Sequence, residues 1–92
     1  MGNKPIGFPF ASAIRHITVD LPDLSAERDS LATFLIYNQQ NFLRDSTVIP
    51  VFVKIIPAKK ETYQVKLEKG KYLVQCLGEY KRLLYKKELI VN

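Results

Sequence analysis

The chain reads as all-β: a small β-sandwich of six to seven strands carrying an extended N-terminal arm. Three observations lead there. Apolar and polar residues alternate with a period of two, as in Ile17, Val19 and Leu21 or Tyr63, Val65 and Leu67. These runs are short and recur at the roughly eight- to twelve-residue spacing of sandwiches. Proline, glycine and polar clusters separate them, where turns belong.

Residues 1–13 form the arm, in which Pro5, Gly7 and Pro9 interleave with Ile6, Phe8 and Phe10. Proline fixes φ and removes an N–H, so this segment is extended and unsuited to the middle of a sheet. Its apolar side chains need a surface. Ile6, Phe8, Pro9 and Phe10 are therefore the candidate partner-binding residues, docking on the chain's own sandwich or on a neighbouring subunit. Residues 14–92 form the sandwich domain.

Ala13–Leu21 is a half-buried strand. Ile17, Val19 and Leu21 share one face with Arg15, while His16, Thr18 and Asp20 take the other, and Pro22 ends it. The polar LPDLSAERDS is a connection with room for one helical turn after Asp23 or Ser25. Leu31–Asn38 is the next strand, closed by the polar run Asn38–Asn41. Thr47–Ile56 is rich in β-branched residues, and Pro50 and Pro57 mark it as an edge or bulged strand. Its prolines guard the most aggregation-prone window of the chain.

The stretch YQVKLEKGKY, Tyr63–Tyr72, reads as a hairpin with Tyr63, Val65 and Leu67 pointing one way and Gln64, Lys66 and Glu68 the other. Gly70 supplies a positive φ, in a type I turn with a glycine bulge, and Tyr72, Val74 and Cys76 resume the pattern. Gly78 offers a second turn. Arg82–Asn92 then forms the last strand, with Leu83, Tyr85, Leu89 and Val91 on one face. Lys87 falls on that face too, which calls for a bulge or an exposed end there. Leu24, Leu31, Leu35 and Phe42 also fit a helical stripe, so the alternative is α+β with a helix around 24–43. EYKRLLYKKEL is rich in helix formers, which leaves 79–89 open between strand and helix.

The second half resembles the "apolar-x-apolar-x-x-Gly-x-Tyr-x-apolar" hairpin of PEGA and transthyretin-like immunoglobulin-fold modules. Val65, Leu67, Gly70, Tyr72 and Val74 carry the resemblance, and Gly78-Glu79-Tyr80 approximates the family's later Gly-Tyr. It covers the C-terminal half only. It implies an immunoglobulin-like sandwich with an adhesive or interaction role rather than an enzyme.

Composition bounds the function further. A chain of 92 residues makes one domain with one core. With 47% hydrophobic and 25% charged residues it is not a disordered chain. Its longest apolar runs, such as Val48–Val53 and Phe34–Tyr37, are too short to span a bilayer. The start MGNKPIGFPF has no apolar signal core, and Ile6 stands where myristoylation wants Ser or Thr. A cytoplasmic or virion setting is expected.

Chemistry-bearing residues are scarce. Cys76 is alone, which excludes an internal disulfide and a cysteine zinc site. The alternation puts Cys76 on an apolar face and His16 on a polar one, so they do not form a dyad. Asp20, Asp23 and Asp45 lack the spacing of a calcium loop, and the scattered glycines make no phosphate loop. No catalytic, cofactor-binding or metal-binding residue is expected, nor an enzyme.

The formal net charge of +5 admits anionic partners without specifying one. Lys81, Arg82, Lys86 and Lys87 form a candidate basic patch with Tyr80 and Tyr85, and Lys59-Lys60 add to it. Cations interleaved with aromatics on a sheet are how OB-like folds hold single strands. The expectation is a non-catalytic structural or interaction sandwich within a larger assembly, such as an accessory virion (capsid decoration) protein. Its partner is a protein or a second copy, reached through the arm. The alternative is an OB-like nucleic-acid-binding protein using the basic C-terminal face.

Overall fold

The structure is a computed structural model that describes residues 14–24 and 30–92. The arm at 1–13 and the helical turn after Ser25 lie outside the described residues. Among the described residues six strands and one short α-helix follow in order: β1 (Ile14–Leu21), β2 (Leu31–Asn38), α1 (Gln39–Arg44), β3 (Phe52–Pro57), β4 (Glu61–Glu68), β5 (Gly70–Leu77) and, after a 3-10 turn at Glu79–Lys81, β6 (Leu83–Val91). They build two antiparallel sheets, one of β1 and β4 and one in the order β3-β2-β5-β6. The fold is thus a small all-β sandwich. Its pairing is that of the immunoglobulin-like Greek key, with β1 and β4 in the places of strands B and E. The places of C′, C, F and G fall to β3, β2, β5 and β6.

The β-branched and aromatic run Thr33–Tyr37 forms a strand rather than the helix allowed around 24–43. β2 is buried almost throughout, because it is central in its sheet and covered on its inner face. Phe34 and Ile36 are fully enclosed, and Ala32 is nearly so. The inner layer adds Val19 and Leu21 from β1, Ile56 from β3, Val65 and Leu67 from β4, and Tyr72, Val74 and Cys76 from β5. Phe34 sits at its centre, with its ring edge-on to Phe52 at 5.2 Å and tilted against Tyr63 at 5.6 Å. The faces read from alternation on β1 and β4 are the faces the sandwich buries. His16 is exposed and Cys76 is enclosed.

The hairpin expected in YQVKLEKGKY is not formed. β4 pairs with β1, whereas β5 pairs with β2 and β6, so Lys69 carries the chain from one sheet to the other. Alternation and a glycine mark where a strand stops and restarts, and they are silent on its neighbour. Gly70 has φ 154°, a conformation costly for any residue with a Cβ. The Tyr72 hydroxyl donates to the Glu68 carbonyl at 2.8 Å and ties the corner shut. A tyrosine bonded back across the E-to-F corner is a device of immunoglobulin-like sandwiches.

Two further corrections concern local structure. The polar run after β2 is not a plain turn: Asn38 caps α1 by accepting from the Asn41 N–H at 3.0 Å. Phe42 on this helix packs against Tyr37 with ring centroids 4.7 Å apart. The segment left open between strand and helix is a tight turn followed by β6. Its bulge lies before Lys87: Cys76 opposes Tyr85 and Leu77 opposes Leu83, which leaves Leu84 as the extra residue. The bulge turns Leu84 as well as Tyr85 and Leu89 against the core, and leaves Leu83 half exposed.

Candidate interaction surface

Residues directly opposite in an antiparallel sheet share a face. On the four-stranded sheet, Phe52, Lys54 and Ile56 of β3 therefore face inward with Phe34, Ile36 and Ala32. Val53, Ile55 and Pro57 face outward with Leu35, Thr33 and Leu31. On β3 the outward residues are apolar and open to solvent, whereas Leu35 beside them on β2 is buried. Val53 is 55% exposed and Ile55 67%, and Val51 and Ile49, in the segment before the strand, are exposed as well at 54% and 83%. Leu31 at 58% adjoins them on β2, and Leu83 at 51% is exposed at the far edge of the sheet. Such a row on an edge strand is an invitation to pairing, which folds usually blunt with charge.

The two edges of this sheet differ in that respect. Each carries a lysine on its inner face, Lys54 on β3 and Lys87 opposite Val74 on β6. Lys54 reaches over the Tyr63 ring, its Nζ 5.4 Å from the centroid. On the outer face, β6 presents Lys86 and Glu88 between Leu83 and Ile90, whereas β3 presents Val53 and Ile55 with no charge between them. Among the described residues the β3 edge is thus open on its apolar side.

The backbone of β3 points the same way. Ala58 N–H donates to the Ser30 carbonyl at 3.0 Å, so the even-numbered residues of β3 turn their N–H and C=O toward β2. Val53 and Ile55 then present theirs to the open edge. Pro57 falls on that edge as well, where its missing N–H costs no ladder bond.

A second projection lies at the other side of the sheet. Glu79–Arg82 is closed by Arg82 N–H donating to the Glu79 carbonyl at 3.1 Å, with Tyr80 at φ 57°, ψ 29° and Lys81 at φ 60°. These are the left-handed angles of a type I′ turn, in which Asn-Gly is the usual occupant. Tyr80 is 98% exposed, so nothing it packs against offsets that strain. The expected turn at Gly78 is displaced onto two residues that carry a Cβ, and no residue type at 79–82 announced it.

The residues singled out from sequence are distributed as follows. Ile6, Phe8, Pro9 and Phe10 lie outside the described residues. Lys81 and Arg82 sit in the type I′ turn with Tyr80. Lys86 and Lys87 occupy opposite faces of β6, opposing Gln75 and Val74 respectively, and Tyr85 leans on the core. Adjacency in sequence does not make these four cations one patch on a strand.

Near the opposite end of the sheet, Asn38, Gln39, Gln40, Leu43, Lys69, Gly70, Lys71 and Glu88 line a shallow open depression of about 590 Å³. There the Gln39 amide donates to the Glu88 carboxylate at 2.7 Å. The Cys76 thiol is pushed up to about 11 by burial, so it is protonated and not nucleophilic near neutral pH. Among the described residues no group of three or more His, Cys, Asp or Glu side chains could hold a metal ion. Among them, too, no helix is long and apolar enough to cross a membrane. Comparison with protein-family models, with curated proteins and with solved structures returns no match.

Proposed function

We propose that this protein is a non-catalytic interaction module that works as a subunit of a larger protein assembly, through its apolar arm and its apolar sheet edge. The observation that carries this reading is the outward pair Val53 and Ile55, each more than half exposed on an edge strand whose far side is unpaired among the described residues. Leaving such a row in water promotes unspecific pairing, and covering it removes apolar surface at about 25 cal/mol per Å². The proline- and phenylalanine-bearing arm supplies a second apolar element. The accessory virion subunit anticipated from the sequence is the specific form of this proposal. Removal of residues 1–12 tests it: self-assembly or capture of the partner is lost, whereas unchanged assembly and capture defeat it.

A second reading, nucleic-acid binding, is favoured by one observation, the exposed Tyr80 beside Lys81 and Arg82. Base stacking on a tyrosine flanked by cations requires that arrangement. Oligonucleotide binding that falls steeply with salt and is lost in Tyr80→Ala supports this reading. Binding indifferent to both removes it.

A further inference from the structure

We infer that the open edge of β3 accepts the N-terminal arm of a second copy of this chain as an added antiparallel strand. The inference rests on the assembly reading above and names its occupant. Three lines of argument meet, concerning the backbone, the side chains and the reach of the chain.

In an extended segment, successive residues turn their N–H and C=O to opposite edges. Along the arm, Pro5, Gly7 and Pro9 fall on one edge, and two of these three lack an N–H. Ile6, Phe8 and Phe10 fall on the other, where every residue keeps both groups. By its sequence, such a segment when extended can pair along its even-numbered edge only. β3 offers the matching half, because Val53 and Ile55 turn N–H and C=O groups outward from the sheet that are unpaired among the described residues.

The side chains follow from the same parity. If the even-numbered arm residues pair with Val53 and Ile55, then Ile6, Phe8 and Phe10 lie beside the exposed apolar row. Aromatic against β-branched neighbours is a favourable cross-strand combination. The opposite face of the added strand then brings Gly7 and Pro9 toward Lys54, where no large side chain competes with the lysine for space. An added strand with its own backbone ladder and alternate apolar anchors is a known mode of recognition.

Reach decides between the chain's own arm and a second copy. β1 starts at Ile14, and Arg15 Nε donates to the Asn92 carbonyl at 3.2 Å, which places this start against the end of β6. The slot beyond β3 is separated from β6 by the intervals β6–β5, β5–β2, β2–β3 and β3–slot. At about 4.8 Å each this is roughly 19 Å, before the step between sheets of about 10 Å. Phe10 precedes Ile14 by four residues, which extend to about 14 Å at most. A chain cannot lay Ile6–Phe10 along its own β3 edge, and a second copy is under no such limit.

Disulfide trapping between two differently labelled populations tests the inference. One population carries Phe8→Cys and the other Val53→Cys or Ile55→Cys. Both keep the enclosed Cys76, and unmutated chain mixed with Phe8→Cys serves as control. Facing residues in an antiparallel pair lie at a Cα separation that a disulfide spans. The expected result is a two-chain product containing one member of each population, absent from the control. A Phe8→Cys/Val53→Cys chain that closes on itself at high dilution overturns the inference. So does an absence of two-chain product when arm removal still dissolves the assembly, since the arm then docks elsewhere. If intact and arm-deleted chains are both monomers and capture no partner, the assembly reading fails as well.

Discussion

Replacing Tyr80-Lys81 by Asn-Gly should stabilise the protein, although it removes two large side chains and adds no contact. Both positions hold left-handed backbone angles, φ 57° and φ 60°, which a side chain with a Cβ resists by about 1–2 kcal/mol each. Asn tolerates that region and Gly has no penalty there, while Gly brings back roughly 0.5–1 kcal/mol of lost chain entropy. Tyr80 is 98% exposed, so its removal gives up almost no burial. The net gain is about 1–2 kcal/mol. Urea unfolding measures it directly: with m of about 1 kcal/mol per molar for a chain of this size, the midpoint rises by about 1–2 M at unchanged m. Lys81→Gly alone should give about half of the shift. A midpoint that stays put or falls refutes the strain argument, and with it the assignment of a type I′ turn to these residues.

Two further predictions concern the corner and the core. Tyr72→Phe removes the hydroxyl that donates to the Glu68 carbonyl at 2.8 Å, and should cost about 1 kcal/mol, seen as a thermal midpoint lower by roughly 4–8 °C. A midpoint unchanged by Tyr72→Phe would show that the corner holds without this bond. Burial raises Cys76 from near 9 to about 11, so the folded state keeps its proton where the unfolded state loses it. The stability this group contributes is fully present below pH 9 and is lost as pH rises to about 11, a fall of about 2–3 kcal/mol absent in Cys76→Ala. Alkylation of the native thiol should be slow at neutral pH, and rapid labelling without unfolding contradicts the enclosure of Cys76.

Most of the scaffold could be read from residue order because its signals are local. Ile17, Val19 and Leu21 alternate against His16, Thr18 and Asp20, and burial follows that alternation without exception. Leu31–Asn38 has the bounds its composition suggests, and the prolines mark an edge strand as expected, although β3 starts at Phe52 rather than Thr47 and Pro50 lies before it. What could not be read is pairing. Glu68-Lys69-Gly70 looks the same whether it joins neighbours in one sheet or crosses between two, and only the positions of β1 and β2 decide. α1 was hidden because Asn38 and the polar residues after it serve equally as loop and as cap.

The interaction surface was legible in part. Thr47–Ile56 reads as aggregation-prone from its composition, but its exposure depends on which face β2 turns to the core, a long-range fact. The strained turn left no trace, since Tyr and Lys avoid left-handed angles and no local rule would put them there. Lys86 and Lys87 show the converse. They look like one patch along the chain, and strand geometry sends them to opposite faces.

The claim at the centre of this account is that the β3 edge and the arm make the chain an assembling unit. Sedimentation equilibrium through the micromolar range, comparing the intact chain with Val53→Lys/Ile55→Lys, tests it most directly. Both positions are more than half exposed, so lysine there leaves the core intact while charging the apolar row. The account predicts a mass above that of one chain for the intact protein, falling to a single chain in the edge variant. Equal masses for the two proteins would contradict it.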